Sequence, residues 1–191
     1  MEFGLVSANG SGSLTATDYS DTAGTWDTPN PATVTCSYSV ASNGRMTLGG
    51  SCAGALVFYL SAANTGFMLN EDSSVEIGQV EPQAAGPFNT ASVSGSFYCG
   101  YLEVVNQSAD AVAGVVALNG SGGYSFVTDD TETTRQRAAH NDSGTITVNF
   151  DGTISDTGSP GVVVGIIISS TKVVAVSDSS STYPTIQVIK R

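Results

Sequence analysis

The stretch "LNGSGGYSFVTDD", Leu118 to Asp130, has a near copy in "ANGSGSLTATDYS", Ala8 to Ser20. Laying Gly4 on Gly114 brings Asn9-Gly10-Ser11-Gly12 onto Asn119-Gly120-Ser121-Gly122, an offset of 110 residues. Further along, "YSVASNGRMTL" lies on "ITVNFDGTISD" at an offset of 108, placing Gly44 on Gly152. Later still, "FMLNEDSSVEIGQVEPQ" lies on "VVAVSDSSSTYPTIQVI" at an offset of 106, with Asp72-Ser73-Ser74 on Asp178-Ser179-Ser180. The drift is absorbed in loops, so the chain is two diverged copies of one unit. A period this long exceeds that of a solenoid repeat. Each copy is domain-sized, or half of a symmetric barrel.

In the second copy, apolar residues alternate with period two between Asn-Gly, Asp-Gly and Ser-rich turns, which marks strands. The pattern predicts eight, near residues 94 to 104, 112 to 118, 123 to 128, 144 to 149, 153 to 156, 162 to 169, 172 to 177 and 183 to 189. Eight successive antiparallel strands are enough for an up-and-down sheet to close into a small barrel and lose its edges. The expected fold is therefore all-β, with antiparallel up-and-down barrels built from two copies of a roughly 105-residue repeat. The expected division is 1–82 for the first repeat, 83–92 for a linker and 93–191 for the second repeat.

The first copy shows seven strands, and the counterpart of "SVSGSFYCGYLEV" is expected before residue 1. An unclosed sheet has edges that invite pairing. Three compensations fit: residues 93–105 complete the first barrel, the two copies share one larger barrel, or the edge recruits a second molecule into a homo-dimer.

Seventeen Asp and Glu against six Lys and Arg give a net charge of −11, and there is no basic stripe for phosphate or anionic lipid. Nucleic acid is not expected as a partner. Nor is membrane insertion, because the apolar run "GVVVGIII", Gly161 to Ile168, is too short for a spanning helix and reads as a buried strand. No signal-peptide pattern opens the chain. "MEF" reads as an initiating methionine with added residues, so an export signal would lie outside this sequence.

Three cysteines leave one unpaired. Asn43-Gly44 is a strong hairpin signal and pairs residues whose numbers sum to about 87, setting Cys36 opposite position 51. A bulge at Gly49-Gly50 would bring Cys36 to Cys52. The pair forms either a cross-strand disulfide, which would favour export, or two buried thiols. Cys99 alternates with Phe97 and Tyr101 and reads as a small core residue.

The succession "SGSFYCG", "NGSGGYSF", "YSVASNGRMTL", "VFYLSAANTGFMLNED" and "VEIGQVEPQ" resembles tandem β-repeats of large extracytoplasmic proteins from soil bacteria such as acidobacteria. The resemblance covers nearly the whole chain and rests on turns and core patterns. It implies a barrel fold and an extracytoplasmic or cell-surface location, and it brings no catalytic residues with it. The cysteines and the stretch Thr128 to Asp142 depart from the pattern.

Binding groups usually ride on loops held by a rigid frame, and the same loop is elaborated in both copies. The first, "DYSDTAGTWDTPNPAT" from Asp18 to Thr33, holds the only Trp. Tyr19, Trp26 and Asp27 there are the expected ligand-binding residues, since aromatic faces cover sugar C–H patches while carboxylates take hydroxyls. Trp26 equally fits a plug over the barrel end, as most Trp side chains are largely buried. The second loop, "VTDDTETTRQRAAHNDS" from Val127 to Ser143, gathers Asp129, Asp130, Glu132 and Asp142. These hard oxygen donors could hold Ca²⁺, although the spacing is not that of an EF-hand; the bland alternative is a solvated acidic loop balanced by Arg135 and Arg137. His140, Asp142 and Ser143 supply the residue types of a hydrolytic triad but no G-x-S-x-G elbow. Carboxylate pairs for glycoside hydrolysis would come from Glu71 and Asp72, or from Glu103. Zinc motifs and a dinucleotide fingerprint are missing from the sequence.

The expected function is a non-catalytic structural or ligand-binding barrel module of an exported or cell-surface bacterial protein, with carbohydrate or another small molecule as ligand. The rival is a hydrolase of unfamiliar design acting on glycosides or esters through loop carboxylates.

Overall fold

In a computed structural model the described residues are 2–22, 25–26, 32–52, 54, 56–70, 77–105, 108–132, 135–158, 162–177 and 185–191. They form two compact units: Glu2–Tyr19 with Asn30–Pro82, and Gln83–Arg191 with Ser20–Pro29. The first sheet comprises β1 (Glu2–Ala8), β2 (Ser13–Thr22), β3 (Thr25–Trp26), β4 (Ala32–Val40), β5 (Arg45–Gly50), β6 (Leu56–Ala62), β7 (Thr65–Asn70) and β8 (Ile77–Val80). Its order is β1-β2-β4-β5-β6-β7-β8, with β3 pairing β2. The second sheet comprises β9 (Ser94–Val105), β10 (Ser108–Asn119), β11 (Gly123–Glu132), β12 (Arg135–Val148), β13 (Thr153–Asp156), β14 (Val163–Ser169), β15 (Lys172–Ser177) and β16 (Thr185–Lys190). These eight close into an up-and-down barrel, with β9 between β10 and β16.

The repeat holds at the level of single hydrogen bonds. Asn9 Oδ1 accepts the N–H groups of Ser11 and Ser13, and Asn119 Oδ1 accepts those of Ser121 and Gly123, all at 2.8–3.0 Å. The glycines of the two turns match in the left-handed region, at φ +74° for Gly10 and Gly120, and +98° and +100° for Gly12 and Gly122. The carbonyls of Gly12 and Gly122 accept from Tyr38 and Ile146, and those of Gly44 and Gly152 from Leu60 and Ile167. Gly12 to Gly122 is an offset of 110, Gly44 to Gly152 of 108, and Leu60 to Ile167 of 107. The last strand departs from the expected 106. Gly66 faces Val80 as Val173 faces Ile189, so Val80 corresponds to Ile189 at 109. The Asp72-Ser73-Ser74 match lies outside the described residues.

The β4–β5 hairpin also differs in register by one. Gly44 donates to Ala41 and sits at φ +84°, so the link is a β-turn followed by a left-handed glycine rather than a two-residue Asn-Gly turn. Cys36 therefore faces Gly50, and it is disulfide-bonded to Cys52 with Cα atoms 5.4 Å apart. Cys99 is free and half-buried against the barrel core. Burial pushes its thiol up, ahead of the opposing hydrogen bonds from the backbone of Cys99 and Gly114. Alkylation without reductant is thus expected to be slow at neutral pH in the native protein and to modify one cysteine, Cys99, after denaturation. Three alkylated cysteines in the mass spectrum would contradict the bond.

An eight-stranded barrel has an interior that side chains can fill. Here Phe88, Val93, Phe97, Ile154, Ile167, Val173 and Ile189 pack together, with Phe97 and Ile167 at 0% exposure. "GVVVGIII" supplies β14, with Val163, Ile166 and Ile167 buried, as expected.

Two expectations are corrected, and one alternative is settled. Residues 83–92 are not a free linker, because Gln83 Nε2 donates to the carbonyls of Asp151 and Ile167 and Phe88 enters the core. One 3₁₀ turn, Thr90–Ser92, capped by Asn89, leads into β9. Of the three compensations, the one in which residues 93–105 complete the first barrel does not form: β9 closes the second barrel, and among the described residues the first copy is an open sheet with β1 and β8 at its edges. Finally, the elaborated loops are largely ladder. The β11–β12 hairpin runs to Glu132 and resumes at Arg135, and β2 runs to Thr22. Strand hydrogen bonds need no apolar face, and the register pairs Asp130 with Arg137 and Glu132 with Arg135.

Candidate functional site

The core face of β10 to β13 changes character along the strands. Leu118, Ile146 and Val148 pack on the apolar core. The Asn119 turn sets Leu118 opposite Tyr124, and Tyr124 faces Gly144 on β12. Ile146, two residues on from Gly144, faces Asp156 on β13. Because alternate residues share a face, Tyr124, Asp142 and Asp156 belong to the face that carries the core, beyond its apolar layer.

Gly144 makes room for the Tyr124 ring: a Cβ there would lie 2.6 Å from the phenol oxygen. The ring is near-parallel to Phe126, with centroids 6.4 Å apart and planes at 6°. Asp142 faces Phe126, and its Oδ1 accepts from Ser143 N at 2.7 Å. Asp156 Oδ1 accepts from Gly158 N at 2.9 Å. Burial first, then Asp156 and Asp142, raise the Tyr124 pKa. The phenol therefore stays neutral to higher pH than an ordinary tyrosine. Below the usual tyrosine value near 10 its contribution to stability is fully present, and it is lost as pH rises through the elevated folded value. Asp156→Asn should move the Tyr124 titration down toward the usual range, followed by NMR of the ring. No movement would separate the two groups.

Of the expected sugar-stacking set, Tyr19 is the residue whose side chain lies among those described. Tyr19 is 5% exposed, its ring stacked on Phe3 at 5.4 Å, so it serves packing within the first unit. Phe3, read as added sequence, is thereby part of β1. Trp26 pairs with Asp21 in the short β3 ladder, and Asp27 lies outside the described residues.

The four acids proposed for Ca²⁺ lie along one hairpin. Asp129 is exposed. Asp130 and Glu132 stand across from Arg137 and Arg135, and Asp142 stands across from Phe126. Four residues of strand separate positions 126 and 130, about 13 Å at a strand's rise per residue. Among the described residues no three His, Cys, Asp or Glu side chains gather in a metal-binding group. His140 and Asp142 are two apart on β12, and Ser143 alternates to the other face. Glu71 and Asp72 lie outside the described residues; Glu103 faces Asp110 in the β9–β10 ladder.

Tyr124 and Asp156 were missed as site residues. The signal was present in the turn: Asn119 to Gly123 fixes Leu118 opposite Tyr124, so an inward Leu118 puts Tyr124 inward too. An open depression of about 250 Å³ lies beside this turn, lined by Ala117, Leu118, Asn119, Gly123, Tyr124 and Ser125. It falls short of the roughly 300–1,000 Å³ typical of ligand pockets.

The described geometry is that of an all-β barrel protein with a filled apolar interior and a polar end. No family model matches the chain, and no curated protein or solved structure matches it either.

Proposed function

We propose that the chain is a non-catalytic structural or ligand-binding module of an exported or cell-surface protein. The observation that carries this reading is the side-chain-filled barrel, in which Phe97 and Ile167 are wholly buried within the apolar cluster. Such a barrel is a rigid frame, and Tyr124, Asp142 and Asp156, brought onto one face by the ladder register, are a phenol and carboxylates of the kind that sugar hydroxyls take up. The Cys36–Cys52 bond accords with an oxidising compartment.

The test is a glycan panel read by calorimetry, run beside chromogenic glycosides and short esters. Binding of a carbohydrate class without turnover is the expected result, weakened about tenfold by Tyr124→Phe if one hydrogen bond to the ligand is lost. Turnover abolished by Asp142→Asn, Asp156→Asn or Asp129→Ala would replace the module reading with a hydrolase.

A further inference from the structure

We propose that the open first sheet is an acceptor for one additional β-strand of the β9 pattern, supplied by another polypeptide segment and inserted between β1 and β8. The second unit is the template. There β9 lies between β10 and β16, pairing Phe97 with Val116, and Cys99 with both Gly114 and Ile189. The corresponding strands of the first unit are β1 and β8, and among the described residues no strand lies between them.

Gly4 and Gly114 share the same close approach, since a Cβ on Gly4 would lie 2.5 Å from the Thr17 carbonyl oxygen and one on Gly114 would collide with that of Val127. This fixes the register of β1 against β10 and makes Val6 the counterpart of Val116. An inserted strand would then set its Phe97-type residue opposite Val6, and its next inward residue between Gly4 and Val80.

Side-chain exposure agrees with a missing strand. Val6 is 55% exposed where Val116 is 9%. Leu60 is half-buried where Ile167 is at 0%, and Met46 is half-buried where Ile154 is at 5%. Val80 is half-buried where Ile189 is at 9%. In the second unit these positions are covered around Phe97, the largest fully buried side chain there and one that β9 itself contributes. The first unit has the same concave apolar face without that aromatic group. Strand addition would supply both the ladder hydrogen bonds and the alternate side chains that give specificity. The occupant is defined chemically: an extended segment whose inward side carries an aromatic followed two residues later by a small apolar group, as Phe97 and Cys99 do in β9. The inference does not depend on export or on sugar binding, so either can fail without the other.

The test uses the full chain and a fluorescent peptide of residues Ser92–Glu103 carrying Cys99→Ser, with a second peptide that also carries Phe97→Asp. Expected are saturable one-to-one binding to monomeric protein, affinity lower by about 100-fold or more for the aspartate peptide, and new amide-exchange protection at Leu5–Ala8 and Gly78–Val80. Absence of binding, equal binding of the two peptides, or protection confined to the edges of β10 and β16 would overturn it. So would a dimer in which β1 and β8 are already protected, since a second copy would then be the occupant.

Discussion

Phe97→Ala is expected to destabilise the second unit by about 3–5 kcal/mol, the cost of removing a fully buried aromatic side chain and leaving a cavity. Phe97 has 0% exposure and sits among Phe88, Val93, Ile154, Ile167, Val173 and Ile189, contributed by four strands and the segment before β9. Interiors packed this tightly relax only partly around a void. Phe97→Leu, which keeps much of the volume, should cost less than about 1.5 kcal/mol. Urea unfolding followed by exchange of the β14 and β15 amides reads the effect in the unit where it arises. Equal midpoints for the alanine variant and the parent would show that Phe97 does not hold the core.

Replacing Cys36 and Cys52 together by serine should cost the first unit about 3 kcal/mol on the chain-entropy account of a loop this long. The bonded residues are 16 apart in sequence. The second barrel should be untouched, so amides of β4 to β7 should exchange faster while those of β9 to β16 keep their rates. Among the described residues the first sheet has no closing strand and so has fewer contacts to compensate. Unchanged exchange across β4 and β5 would mean that the hairpin is held by its ladder alone.

Much of the barrel was legible because period-two alternation and turn chemistry act locally. Gly44, Gly120, Gly122 and Gly152 all occupy positive φ where their turns require it, and each turn fixes the pairing on both sides. The polar hairpin from Thr128 to His140 was read as a loop because alternation of apolar residues stops where the core stops, whereas the ladder continues on backbone hydrogen bonds. The one-residue difference at Asn43-Gly44 came from two turn types that share the same sequence signal. Residues 83–92 fall between the two repeats, and nothing local reveals that Gln83 reaches the carbonyls of Asp151 and Ile167. At the candidate site, Asp142 was noted for its charge, while Tyr124 and Asp156 emerged from register across three ladders. Side-chain pairings of that kind depend on which strands become neighbours, which is a property of closure rather than of any one segment.

The attachment of Gln83 and Phe88 to the barrel changes where one repeat can be cut from the next. A fragment starting at Val93 would expose the apolar pocket that Phe88 fills and strip the carbonyls of Asp151 and Ile167 of the amide that Gln83 brings. Gly152 would lose its lid as well, since a Cβ there would lie 2.5 Å from Gln83 Nε2 and 3.0 Å from the Phe88 ring. A fragment meant to keep the barrel end therefore begins no later than Gln83, eleven residues before the first strand that alternation reveals, and a shorter excision would carry an unfinished barrel end.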